Sequence, residues 1–154
     1  MLAETLWVER TLAFEVLPKL HDAVRSQRLA SVVAEHLEQT KEHGTRLEQV
    51  FRAVGAEPSS NLNPAVEKLA SHHDEVAGKV ADERLADALH AVAAIATEHN
   101  ELAAYDALLA LGAALELGDA RKLLERNREE EDEAREKLEQ ELQRLVGELR
   151  RERV

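Results

Sequence analysis

The stretch 118–149, GDARKLLERNREEEDEAREKLEQELQRLVGEL, decides how this chain folds. Gly118 stops one helix and Asp119 caps the next, with no loop between them. Leu123, Leu124, Ala134, Leu138, Leu142, Leu145 and Leu149 then recur at helical spacing, an apolar stripe on a heavily charged rod. Working back, Asp82 is placed to cap a helix through Leu85, Leu89, Val92, Ile95, Leu102 and Leu109. Leu29, Val33, Leu37, Leu47, Val50, Phe51 and Val54 form another, closed by Gly55, with Pro58 preventing continuation. Leu2, Leu6, Leu12, Ala13, Val16, Leu17 and Leu20 form the first, in which Pro18 should kink or break the ladder.

The first two long helices are joined tightly near Ser26, and the last two at Gly118. The middle connection, from about Gly55 to about Asp82, is long. It contains a loop from Glu57 to Asn63, an Asn63-Pro64 helix start, and a short amphipathic helix through Val66, Leu69, His73, Val76 and Val80. Tight, long, tight is the connection pattern of ferritin-like bundles. The sequence therefore predicts an all-α, ferritin-like four-helix bundle with a short helix in the long crossover between helices 2 and 3, as one domain over residues 1–154. Gly44, inside the second helix, is read as a point of close helix approach. The last helix runs on through Leu142, Leu145 and Leu149, beyond what a short bundle needs, which suggests a coiled-coil face for a partner chain.

Composition narrows the function. Of 154 residues, 44% are hydrophobic and only 3% aromatic, so the core must be Leu, Val and Ala. The net charge of −11 argues against nucleic acid or an anionic membrane as partner and favours cations. The absence of cysteine excludes disulfides, thiolate nucleophiles and Cys-based metal sites. Glu4 and Glu9 stand where a signal peptide would be basic and then apolar, and the run Ala107 to Leu115 is too short for a bilayer, so a cytoplasmic location is expected. No serine elbow or phosphate-binding glycine loop occurs.

The informative residues interrupt the stripes. Glu9 falls in the middle of the first apolar face. His36, Thr40 and His43 share the face of Leu29, Val33 and Leu47. His99 and Asp106 are read among Val92, Ile95 and Leu102, with Glu98 at the edge, and Asn127, Glu130 and Glu131 lie between Leu124 and Ala134. Measured from the turn near Ser26, Glu9, His43, His99 and Glu131 fall at similar depth. A buried carboxylate is costly unless paired or bound to metal, and carboxylate with imidazole suits iron, manganese or zinc. The candidate ligands are thus Glu9, His43, His99 and Glu131, with His36, Glu98 and Glu130 close by. The expected cofactor is iron or manganese, against the alternative of a metal-free structural or protein-interaction module. Glu-x-x-His, the usual bundle di-metal motif, is absent. A hemerythrin-like carrier would need His-x-x-x-Glu or His-x-x-x-His pairs, which His36 and His99 lack. His72-His73-Asp74-Glu75 is read as surface polarity.

His36-Leu37-Glu38-Gln39-Thr40, Arg46-Leu47-Glu48-Gln49-Val50-Phe51, Glu98-His99-Asn100-Glu101-Leu102-Ala103-Ala104-Tyr105, Glu129-Glu130-Glu131 and Leu17-Pro18-Lys19-Leu20 together resemble the YciF-like branch of the ferritin-like superfamily. The resemblance covers about Leu6 to Leu142. It implies a stress-associated bundle, a homodimer and a di-metal centre. In this chain Arg10, Gln39 and Arg135 stand where the resemblance leads one to expect acidic residues, which suggests arginines in place of metal charge.

Overall fold

The computed structural model describes residues 1–58, 65–114 and 117–151. The first rod is α1 (Leu2–Thr11), a π-helical turn (Leu12–Val16) and α2 (Leu17–Ala23), which follow one another without leaving helical backbone angles. The other rods are α3 (Gln27–Ala53), α5 (Glu83–Ala114) and α6 (Asp119–Arg151), with the shorter α4 (Ala65–Gly78) in the crossover. The bundle and its tight, long, tight connections are those the sequence predicts. The Asn63-Pro64 helix start lies outside the described residues.

The local causes are visible. Pro18 has no N–H to donate to Phe14, and the turn before it widens to π instead of kinking sharply. Ser26 caps α3 by accepting from the Leu29 N–H, while the buried Asp87 of α5 accepts from the N–H groups of Arg25 (2.9 Å) and Ser26 (2.7 Å). Asp82 caps α5 at the N–H groups of Arg84 and Leu85. Gly55 and Gly118 take the positive φ values of 66° and 54° that end helices.

The core is split in two. One apolar cluster joins Leu12, Leu17, Val24, Leu29, Val33 and Leu138, and the other joins Leu6, Leu47, Val50, Phe51, Leu108 and Leu124. Each long rod passes from one cluster to the other, and each places polar residues at the crossing. Glu9 lies between Leu6 and Leu12, and His36 and His43 between Val33 and Leu47. Glu98 and Glu101 lie between Ala94 and Tyr105, and Glu131 between Leu124 and Leu138.

Two expectations are corrected here. A Cβ on Gly44 would meet nothing within 4 Å, so no close approach requires this glycine. The far end of α6 is not spare: Leu145 is buried, Leu142 and Leu149 pack on the same cluster as Leu12 and Leu29, and Arg144 donates to Ser26 Oγ at 2.7 Å. The bundle itself uses that length, because the opposing rods extend equally far. Among the described residues, no helix is long and apolar enough to cross a membrane.

Candidate metal centre

Four rods contribute to the polar layer. Glu9 comes from α1, His36 and His43 from α3, Glu98 and Glu101 from α5, and Glu131 from α6; all are buried. His36 and His43 are two turns apart and so share one face, while Glu98 and Glu101 are neighbours at i, i+3. The donor atoms form two groups, His36 with Glu98, Glu101 and Glu131, and Glu9 with His43 and Glu131, each within 4.8 Å of one another. Opposite ligands of one ion stand about 4 Å apart, so each group has the span of a single site. Glu131 belongs to both and is the natural bridge.

Contacts inside the layer are close but poorly satisfied. His36 Nε2 is 3.3 Å from Glu98 Oε1 and 3.6 Å from Glu131 Oε2. His43 Nδ1 is 2.7 Å from Glu131 Oε1 and 3.5 Å from Glu9 Oε2, yet neither approach has the angle of a hydrogen bond. Among the described residues, every buried side-chain polar atom lacking a hydrogen-bond partner belongs to these six side chains, including both carboxylate oxygens of Glu101 and of Glu131. Native interiors rarely leave such atoms unpaired.

A second layer is fully bonded. Glu130 Oε2 lies 3.0 Å from His43 Nε2 and accepts from Arg46 at 2.7 Å. Arg46 also donates to Asn127 Oδ1 at 2.8 Å. Asn127 Nδ2 donates to the Tyr105 hydroxyl (2.9 Å) and the His43 carbonyl (3.3 Å), and Tyr105 donates to Glu9 Oε1. Glu130 thereby holds the Nε2 proton of His43 and aims Nδ1 at Glu9 and Glu131, where it would offer a lone pair to a metal that displaced its proton.

The electrostatics follow from burial. Desolvation pushes Glu98 and Glu131 up to about 7, and raises Glu9 and, more strongly, Glu101, with the neighbouring carboxylates adding to the shift. Burial alone would lower His43, but Glu131 and Glu9 hold it at about 10. Burial would likewise raise Glu130, but Arg46 and Arg126 hold it at about 2. Desolvation and the charges of Glu9 and Glu131 lift the Tyr105 hydroxyl well above its ordinary value.

The structure thus brings Glu9, His36, His43, Glu98 and Glu131 together. His99 is not with them: its side chain is 60% exposed and its nearest carboxylate is Glu139 at 3.9 Å. With Glu98 turned inward, the next residue is rotated by about 100° to the surface. Glu130 belongs to the second layer, one position off the face of Glu131. Asp106, read as inner, is exposed and bonded to Arg128 at 2.7 Å. The apolar stripe does not single out Glu101; its signals are the Glu98–Tyr105 stretch that carries the family resemblance and its spacing from Glu98. Arg10 and Arg135 do not reach the layer: Arg10 pairs with Glu48, and Arg135 with Asp132 and Glu139. His72 is exposed, as surface polarity requires, whereas His73 is half-buried and lines a cavity.

Two cavities touch the layer. The larger, about 290 Å³, reaches His36 and Glu98; the smaller, about 170 Å³, reaches Glu101 from between α1 and α5.

A family model described as a domain of unknown function, DUF892, matches residues 1–149. The protein YciF of Escherichia coli (strain K12) is 32% identical over 135 residues, covering 85% of this chain and 79% of its own length. The solved structure of that E. coli stress protein superposes with a TM-score of 0.89 at 29% identity, covering 95% of this chain and 92% of the other. The structure of YcfI from Rhodopseudomonas palustris does so at 0.84 and 34%, covering 90% and 87%.

Proposed function

This chain belongs to the DUF892 family, and from that premise we propose that it is a stress-associated, ferritin-like protein whose polar layer holds two metal ions, iron or manganese. The observation carrying this reading is the unpaired buried set itself. Four carboxylates and two imidazoles from four helices make the same donor inventory as ferritin-like di-metal bundles, where two glutamates accompany two Glu-x-x-His pairs. Only the distribution differs, since α3 supplies both histidines and α5 two of the glutamates. That explains why no Glu-x-x-His is needed. Hard oxygen donors with imidazole fit iron or manganese better than softer ions.

The roles follow from position. His36, Glu98 and Glu101 would hold one ion and Glu9 and His43 the other, with Glu131 shared. Four carboxylates buried together cost several kcal/mol each unless neutralised, and two divalent cations would offset that charge. Such ions, when bound, would supply electron exchange with oxygen or a peroxide. Glu130 orients His43, and Tyr105 and Asn127 fix Glu9. A metal-free structural or interaction module draws on one feature, the His43 imidazolium between Glu9, Glu131 and Glu130, which offsets part of the charge.

The proposal extends to a homodimer. Leu85, Val92, Ala96, Ala103 and Ala110 lie exposed along one side of α5, a face suited to a second copy. Light scattering of the purified protein reads this directly, and a monomer at all concentrations contradicts it. For the metal, protein purified without chelator is assayed for metal before and after incubation with ferrous iron, manganese and zinc. About two ions per chain are expected, with loss in Glu101→Gln and no change in His99→Ala. Metal-free protein under every condition would leave the structural module as the reading.

A further inference from the structure

The 290 Å³ cavity that ends on His36 and Glu98 is roofed by α4 and lies between the first rod and α5. Its walls are apolar: Leu12, Val16, Leu17 and Leu20 face Ala93 and Ala94. The π-helical turn forms part of this wall, and such turns are frequent at functional sites. Hydrogen-bonding side chains also line it, those of Ser71, Thr97, His73 and His90. Formal charges, Glu15 and Lys19, stand on exposed residues at the rim and balance each other. No lysine or arginine lines the inner end, where the Glu98 carboxylate sits.

We propose that this cavity binds a small, uncharged, mainly apolar molecule with one terminal oxygen function, of the class of medium-chain primary alcohols, aldehydes and alkyl hydroperoxides, with that oxygen directed toward His36 and Glu98. Size sets the length. At roughly 30 Å³ for each water-sized unit, the cavity takes about ten heavy atoms, slightly below the usual range for drug-sized ligands. An alkyl chain fills the apolar walls, and an oxygen at its end meets the polar inner end formed by His36 and Glu98. A carboxylate head would be turned toward the Glu98 carboxylate, and no lysine or arginine lines that end to receive it. The inference deepens the metal reading by naming what approaches the centre, and the cavity itself is built without metal.

The test is calorimetric titration of 1-octanol and of octanoate into the metal-free and the metal-loaded protein, with metal content measured on the same samples. Saturable binding of 1-octanol is expected in both forms. Octanoate should bind the metal-free form at least tenfold more weakly. Ala93→Phe and Val16→Phe, which fill the cavity from opposite walls and touch no candidate ligand, should each weaken 1-octanol binding at least tenfold and leave metal uptake unchanged. Nuclear Overhauser contacts from the octanol chain to the methyls of Leu17 and Leu20 in the unsubstituted protein give a readout that does not depend on either variant folding. Absence of saturable binding, contacts elsewhere, or octanoate binding the metal-free form as tightly as octanol would overturn the proposal. Octanol bound without metal uptake would sink the metal reading and leave the cavity assignment standing; metal uptake without octanol binding would do the reverse.

Discussion

Glu98→Gln separates a metal centre from a structural ion-pair network, because the two predict opposite signs. Glu98 is 1% exposed, and burial holds its carboxyl at about 7 instead of the ordinary 4.5. A carboxyl raised in the folded state costs stability once pH exceeds its unfolded value, and the cost is complete above the folded one. At pH 8, at about 1.4 kcal/mol per pH unit, the ionised Glu98 costs the metal-free fold roughly 3 kcal/mol. At pH 5 only about 1 kcal/mol of that cost is present. Glutamine has the same shape and no charge, so the metal-free variant should gain up to roughly 3 kcal/mol at pH 8, less what is lost of the 3.3 Å contact with His36. For a chain of this size that is a rise of up to about 6–12 °C in Tm. With metal the sign reverses, since the variant lacks a ligand and should gain less stability from added iron or manganese than the unsubstituted protein. Thermal melts of both proteins at pH 5 and pH 8, with and without metal, measure all of this. A metal-free variant less stable than the parent by 1 kcal/mol or more at pH 8 would refute the reasoning and show that Glu98 serves as the counter-ion of a protonated His36.

Further outcomes follow from the same structure. The metal-free protein should lose stability as pH rises from about 5 to 9. Glu98 and Glu131 ionise against burial near 7, and the stabilising charge of His43, fully present below its unfolded value, is lost toward about 10; Glu130, held at about 2, matters only in acid. Metal loading should oppose this trend, because bound ions displace those protons; Tm against pH reads both. Glu130→Gln should lower metal affinity about 10–100-fold without removing a ligand, since it frees His43 from its orienting carboxylate; metal titration in competition with a chelator checks it. Gly44→Ala should raise stability by up to about 1 kcal/mol with metal binding unchanged, because the added methyl meets open space within a helix; denaturant unfolding measures it.

How much of this was legible in the sequence depends on how well each helix marks its own face. In α6 the leucines stand among charges, so the stripe has one phase and brings Glu130 and Glu131 together between Leu124 and Ala134. In the first rod and α3 the same contrast placed Glu9, His36 and His43. Helix α5 is rich in Ala and Leu all the way round, and Val92 and Ile95, its bulky β-branched residues, suggest the wrong phase. The buried face is in fact Ala91, Ala94, Glu98, Glu101 and Tyr105, and Val92 is 47% exposed. That rotation moved His99 and Asp106 inward and hid Glu101. Ala88, Ala91 and Ala94 are buried in one cluster with Leu138 and Leu145 of α6, where small side chains suit close packing, and bulk alone is a poor guide to that. The division of labour between Glu130 and Glu131 was also invisible, since it depends on Arg46 reaching across from α3. Local signals for helix ends needed no partner, and Ser26, Gly55, Asp82 and Gly118 were all legible.

The most direct test of the metal centre is a crystal of the protein soaked in manganese, with anomalous difference maps recorded at a wavelength where manganese scatters anomalously. Two peaks are expected inside the bundle, one among His36, Glu98, Glu101 and Glu131, the other among Glu9, His43 and Glu131. Peaks confined to surface positions such as His72 and Glu75, or none at all at saturating metal, would contradict the account.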